Sequence, residues 1–292
     1  MVRLDHVTIE QPFLLEGGDI LGAHWAGRTL QVVRYDIEGN LIFSVNVDDF
    51  ADRPGAVQME TAVYGNSRQY RLPVSYVAPP PEDTLFYRLY CVDHQGMLQW
   101  THETIHSDTI PGNQGVQELA KAIEDSAGTT LFAYEFTTDS SAADVILERI
   151  GPDGVMRWHH RFYSHYSDVV YLEDTFEDVA TSEIGEICLM ATVPDQMAME
   201  TRTKSMCKLI DISGEPFFTW RHGRTYGYGI RAVNCLPRSG SGFFTTFHAG
   251  ADFSRCGQDQ FYSVSSPTYY EIGLYGDAHP QSGLEEYPAL FK

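Results

Sequence analysis

The segment Val92-Asp93-His94-Gln95-Gly96-Met97-Leu98-Gln99-Trp100 is written four times in this chain, with variations. Tyr35-Asp36-Ile37-Glu38-Gly39-Asn40-Leu41-Ile42-Phe43 precedes it and Ile150-Gly151-Pro152-Asp153-Gly154-Val155-Met156-Arg157-Trp158 follows it. The fourth copy is Asp211-Ile212-Ser213-Gly214-Glu215-Pro216-Phe217-Phe218. The shared glycines stand at 39, 96, 154 and 214, giving steps of 57, 58 and 60 residues. Four positions after each glycine comes an aromatic: Phe43, Trp100, Trp158 and Phe218. A fixed period of this size marks a repeat architecture.

Each copy is a hairpin signal. Asp at the first corner of a turn accepts hydrogen bonds from the backbone ahead of it, and Gly takes the positive φ that closes the turn. Alternating apolar and polar residues flank the turn, as in Val145-Ile146-Leu147-Glu148-Arg149-Ile150. These flanks form strands C and D of a unit. An apolar strand B lies upstream of each: 20–25, 70–77, 130–136, 187–193 and 243–247. A shorter strand A precedes B at 7–15, 57–64, 116–123, 176–181 and 230–236.

The unit is therefore four antiparallel strands in about 58 residues, in copies at roughly 7–50, 51–110, 111–168, 169–224 and 225–276, with 277–292 as a C-terminal tail. The fifth copy departs from the phrase, reading Val264-Ser265-Ser266-Pro267-Thr268-Tyr269-Tyr270 where the turn is expected. Four-stranded units repeated about an axis make a β-propeller, so the expected fold is an all-β, five-bladed β-propeller. The glycine period contradicts seven WD-type blades, and two β-sandwich domains are the structural rival.

The composition excludes several function classes. Twenty basic against 40 acidic residues leave a net charge of −20, which repels phosphate backbones and argues against nucleic acid as a partner. No apolar run approaches the length of a membrane helix, which argues against membrane insertion, and the first residues lack the apolar stretch of a secretory signal. The expected location is the cytoplasm or an assembled particle. Five cysteines at 91, 188, 207, 235 and 256 have no metal-type spacing, and buried reduced thiols are expected, with Cys188 and Cys207 facing one another across a hairpin.

The Asp-x-x-Gly-x-x-x-Trp phrase resembles the repeat of quinoprotein (PQQ-like) propellers. That resemblance implies that the aromatic docks between neighbouring blades. Trp100 and Trp158 match it fully, Phe43 and Phe218 keep the aromatic character, and Gly151 replaces the turn acid in the third copy. Nothing here matches the quinone-binding or calcium-binding residues of those enzymes, so no cofactor is implied.

Two polar constellations stand out. The A strands offer Glu10, Glu60, Glu118, Glu177, Asp178 and Arg231, which in a propeller line the central channel. Carboxylates crowded there raise one another's pKa or bind a cation such as calcium. The alternative is that they satisfy one another and solvent. The second constellation is the loop around Arg221, His222, Arg224, Tyr226 and Tyr228, a contact surface for an anionic ligand, a sugar or a partner loop. His159 and His160 point to opposite faces of a strand and form no metal site. No nucleophile elbow, phosphate loop, dinucleotide fingerprint or zinc-protease helix occurs. The expected function is a non-catalytic interaction or scaffold module with a protein partner. The alternatives are a carbohydrate-binding propeller and a glycoside hydrolase using the channel carboxylates.

Overall fold

A computed structural model describes residues 2–4, 7–52, 57–77, 84–104, 107–108, 120–137, 143–162, 175–194, 203–222, 228–237, 243–251, 268–272 and 278–280. These residues form an all-β chain of antiparallel sheets, each built on the four-strand meander of a propeller blade. The first sheet runs β1 (Val2–Leu4), β2 (Val7–Leu14), β3 (Ile20–Ala26), β4 (Thr29–Tyr35) and β5 (Leu41–Asp49). The second contains β6 (Val57–Met59) and β7 (Val63–Tyr64), both paired with β8 (Gln69–Val77), then β9 (Thr84–Asp93), β10 (Leu98–Glu103) and β11 (Ser107–Asp108). The third is β12 (Ala120–Glu124), β13 (Thr130–Thr137), β14 (Ala143–Ile150) and β15 (Met156–Phe162). The fourth is β16 (Thr175–Thr181), β17 (Ile187–Pro194), β18 (Thr203–Ile210) and β19 (Pro216–His222). The fifth is β20 (Tyr228–Pro237), β21 (Phe243–Ala251), β22 (Thr268–Ile272) and β23 (Ala278–Pro280).

Three details differ from the sequence reading. Strand β1 adds a fifth member to the first sheet, too short to carry a pattern. Strand A of the second sheet is broken into β6 and β7 around Glu60 and Thr61. Strand β22, Thr268–Ile272, begins inside the stretch 264–270 read as the irregular turn of the fifth copy, and its partner β23 comes from the segment read as a tail. No helix of the described residues is long and apolar enough to cross a membrane.

The chain divides into two compact units, Met1–Phe132 with Arg149–Arg157, and Ala133–Glu148 with Trp158–Lys292. In the first unit a core forms between the first two sheets, where Leu21, Leu30 and Val32 meet Tyr70, Leu72, Val74 and Tyr90. Phe50 links them, packing edge-on against Trp25 and tilted against Tyr76. In the second unit β20 packs along β16, β17 and β18. There Cys188 and Cys207 lie 3.3 Å apart as buried free thiols, and the Cys235 thiol donates to the Cys188 carbonyl at 3.5 Å. Burial, with those two neighbouring thiols, pushes the Cys188 thiol well up.

The first, inner strands of the sheets carry a shared device. Register shifts mark β-bulges between Glu10 and Phe13, between Phe176 and Asp178, and between Ala232 and Asn234, and the break at Glu60–Ala62 occupies the same place in the second sheet. The first strand of a sheet, at its edge, also leaves a backbone N–H outside its own ladder. A side chain of the preceding sheet accepts that N–H. Gln11 Oε1 takes the Ala62 N–H at 3.3 Å, Glu135 Oε1 takes the Phe176 N–H at 2.8 Å, and Asp178 Oδ2 takes the Cys235 N–H at 2.8 Å. Between the second and third sheets the backbone does this itself, with Thr61 bridging parallel to Lys121. Replacing Asp178 with Ala strands a buried donor, so the urea midpoint is expected to fall by the equivalent of about 2 kcal/mol. Asp178→Asn keeps an acceptor oxygen and is expected to lose less; equal loss in both variants would contradict the bracing role.

Candidate functional site

In a four-strand meander the A–B and C–D turns lie at the same end of the sheet. Among the described residues four C–D turns carry the glycine at the position that the sequence predicts. Gly39, Gly96, Gly154 and Gly214 have φ between 79° and 93°, and each donates its N–H to the carbonyl three residues back, at 2.9–3.0 Å. A type I turn followed by a left-handed residue closes the hairpin. The Asp93 side chain accepts from the N–H groups of Gln95 and Met97, both at 2.9 Å, and Asp211 accepts likewise from Ser213 and Glu215. The third turn has glycine at that corner, and Asp153 moves the acceptor two positions on, taking the Val155 N–H at 3.1 Å and Arg157 at 2.7 Å. The A–B turns repeat the same hydrogen bonds at 15–19, 65–69, 125–129 and 182–186, although Arg68 takes the glycine's place with φ 57°.

In the first unit the aromatics cover the neighbouring turn. A Cβ built on Gly96 would stand 2.9 Å from the Phe43 ring, and one on Gly154 would stand 2.6 Å from Trp100. The Trp100 indole N–H also donates to the Pro152 carbonyl at 3.0 Å. In the second unit Trp158 covers Gly214 in the same manner and donates to the Ile212 carbonyl at 3.3 Å, with His160 tilted against its ring. Register shifts skip Ile42 and Gln99, so one bulge after each of these turns aims the aromatic sideways at its neighbour. The side chain of Phe218 lies outside the described residues.

The turn end is apolar where it meets solvent. Among the described residues, every exposed large hydrophobic side chain lies on, or within two residues of, an A–B or C–D turn, at 38% to 76% exposure. In the first unit these are Leu14, Ile37, Leu41, Ile42, Met97, Leu98, Val155 and Met156. In the second they are Ile184, Ile212 and Leu236, the last ending strand A of the fifth sheet. Leu41, Leu98 and Met156 occupy the same repeat position, two residues after the turn glycine. Carboxylates stand between them. The Asn40 side chain and the N–H groups of its turn hold Asp36 below the usual carboxylate range. The Val155 N–H and Arg157 do so for Asp153, and Ser213 with its turn N–H groups for Asp211.

The channel residues are placed differently from one another. Glu60 is buried and accepts from the Ser75 hydroxyl at 2.7 Å, and Glu177 accepts from the Thr192 hydroxyl at 2.8 Å. Asp178 is the brace to Cys235, and Glu10 sits half-buried beside the first bulge. Glu118 and the Arg231 side chain lie outside the described residues, as do the side chains of Arg221, His222 and Tyr228 and the whole of Arg224 and Tyr226. Among the described residues no group of three His, Cys, Asp or Glu side chains is arranged to hold a metal ion.

Two polar clusters have no counterpart in the sequence patterns. Arg88 bridges Asp48 at 2.8 Å and Glu103, while the Tyr90 hydroxyl donates to Asp48 and the Tyr76 hydroxyl to Glu103 at 2.6 Å. It ties β5 of the first sheet to β9 and β10 of the second. Burial pushes Asp48 up, but Tyr90, the Asp49 N–H and Arg88 hold it below the ordinary carboxylate range. Deeper in, fully buried Arg71 pairs with Glu124 at 3.0 Å and with the Gly128 carbonyl at 3.1 Å. Both clusters join residues distant in sequence, and no local spacing announces them.

No protein-family model and no curated protein matches the sequence. Among solved structures the chain is similar to an ulvan lyase of polysaccharide lyase family 25, with a TM-score of 0.51 at 10% identity, over 96% of this chain and 67% of that one. It is also similar to an α-L-arabinofuranosidase of Fusarium graminearum, with a TM-score of 0.46 at 11% identity, over 90% of this chain and 87% of that one. At such identities the likeness is one of fold.

Two predictions follow from this geometry. Trp100→Ala is expected to lower stability by about 2–3 kcal/mol, whereas Trp100→Phe, which loses the N–H bond and keeps a ring, is expected to lose about 1 kcal/mol. Chemical denaturation checks both, and an unaltered midpoint for Trp100→Ala would contradict the docking. The turn aspartates hold protons less tightly in the fold than in the open chain. Their contribution is therefore complete above the ordinary Asp value of 3.8 and fades as pH falls below it. Carbon-detected NMR titration is expected to place the Asp36, Asp153 and Asp211 midpoints below 3.8.

Proposed function

We propose that this chain is a non-catalytic β-propeller interaction module, one component of a larger protein assembly, and that it docks a protein partner on the turn end of its sheets. The observation that carries the reading is the recurrence of exposed apolar side chains at equivalent turn positions, Leu41, Leu98 and Met156 among them. A single exposed hydrophobic residue needs no explanation, but a repeated set on adjoining turns is the mark of a contact surface. Fixed turns lose little entropy on binding, which suits them to that use. Glu60, Glu177 and Asp178 are engaged within the protein, and Asp48 and Glu103 share one arginine.

A carbohydrate-binding reading draws on Trp100 and Trp158, half-exposed indoles of the kind that stack on sugar rings. The ulvan lyase is also known bound to a GlcA(1-4)Rha3S repeat, a property of that protein. Here each indole lies over a turn and its N–H is taken by a backbone carbonyl.

Site-specific photo-crosslinking in native extract tests the proposal. A photoreactive amino acid replacing Met97 or Leu41 is expected to trap one or a few defined proteins, and the same group replacing Asn46, away from the turns, is not. Equal trapping from all three positions, or none from any, would overturn it.

A further inference from the structure

The turn end of the first unit is not merely apolar. Three adjoining C–D turns present Ile37, Leu41, Met97, Leu98, Val155 and Met156. Each turn also carries a carboxylate, Asp36, Asp93 or Asp153, fixed by turn N–H groups. Phe43 over Gly96 and Trp100 over Gly154 make the three turns neighbours, so the carboxylates and apolar side chains interleave on one surface. Two arginines lie near these turns among the described residues: Arg157 is paired with Asp153, and Arg34, which donates to the His94 carbonyl at 3.0 Å, is paired with Asp19. The protein as a whole carries 40 acidic against 20 basic residues.

We infer that the partner segment is basic and apolar together: a polypeptide stretch in which Lys or Arg alternates with large hydrophobic side chains. This rests on the interaction reading above and adds the chemistry of the occupant. Complementary potential steers such a partner in and rejects like-charged ones. A second copy of this chain is a poor occupant, because its own turn end carries the same negative charge. The apolar side chains supply the affinity, and the carboxylates supply the selection between partners.

The test uses the full chain and three synthetic 14-residue peptides, alternating Leu/Lys, Leu/Glu and Ser/Lys, titrated calorimetrically at 50 and 300 mM salt. The Leu/Lys peptide is expected to bind with a micromolar Kd that weakens at least threefold between the two salts. Binding of the other two is expected to be at least tenfold weaker. The triple variant Ile37→Ser, Met97→Ser, Val155→Ser changes exposed side chains only, and its unfolding midpoint serves as the folding control. It is expected to lose at least tenfold in Leu/Lys affinity. Ser/Lys binding as tight as Leu/Lys would reduce the effect to diffuse charge and overturn the inference. An unaffected triple variant, or uptake onto phosphatidylcholine vesicles in place of the peptide, would overturn it as well. Failure here with position-specific crosslinking from Met97 intact would reject the basic partner and leave the docking surface standing. Loss of the crosslinks themselves would reject the surface.

Discussion

An aromatic ring of one sheet laid on the turn glycine of the next is the contact on which this structure depends. A four-stranded sheet of this size has two apolar faces and cannot bury them alone. Phe43 over Gly96, Trp100 over Gly154 and Trp158 over Gly214 repeat one solution within each unit. The glycine is required twice over. Its φ near +80° to +90° is open to few other residues, and its missing Cβ is the space the ring occupies. The indole N–H then closes on a carbonyl of the same turn. One local phrase therefore encodes a hairpin and its contact with the next module at the same time.

Polar side chains do the corresponding work on the inner strands. Bulges bend those strands, each an edge with an N–H outside its own ladder, and the acceptors Gln11, Glu135 and Asp178 reach across from the preceding sheet to take it. Leaving such a donor buried and unpaired is expensive, so each of these contacts needs a side chain with an acceptor. Of the carboxylates that pattern along the chain as a candidate ligand site, Asp178 is a member of this bracing, and Glu60 and Glu177 accept hydroxyl bonds inside one sheet.

The repeat was legible because its cause is local. Asp, Gly and the aromatic stand within eight residues, and the sequence spacing of the glycines sets the sheet period directly. Strand β23 was not, because residues 278–280 are short and carry no turn phrase, and β1 was missed for the same reason. Glu10, Glu60, Glu177 and Asp178 were recognisable as polar positions on inner strands, but not their partners. A bulge shifts register by one residue and so decides which face each side chain takes. The Arg88 cluster with Asp48 and Glu103, 40 and 15 residues away, lies beyond any window of local reading. The apolar turn end was present in the sequence as Ile37, Met97, Val155 and Ile212, yet it reads as exposed only once the strands that bury the other hydrophobics are known.

The most direct measurement of the ring-on-glycine contact is the proton NMR of Gly96, Gly154 and Gly214. A glycine Hα facing an aromatic ring at this distance experiences its ring current. The account predicts marked upfield shifts of one Hα at each glycine, with nuclear Overhauser contacts from Gly154 to the Trp100 ring and from Gly214 to the Trp158 ring. Glycine Hα shifts at ordinary coil values, with no cross-peak to either indole, would contradict it.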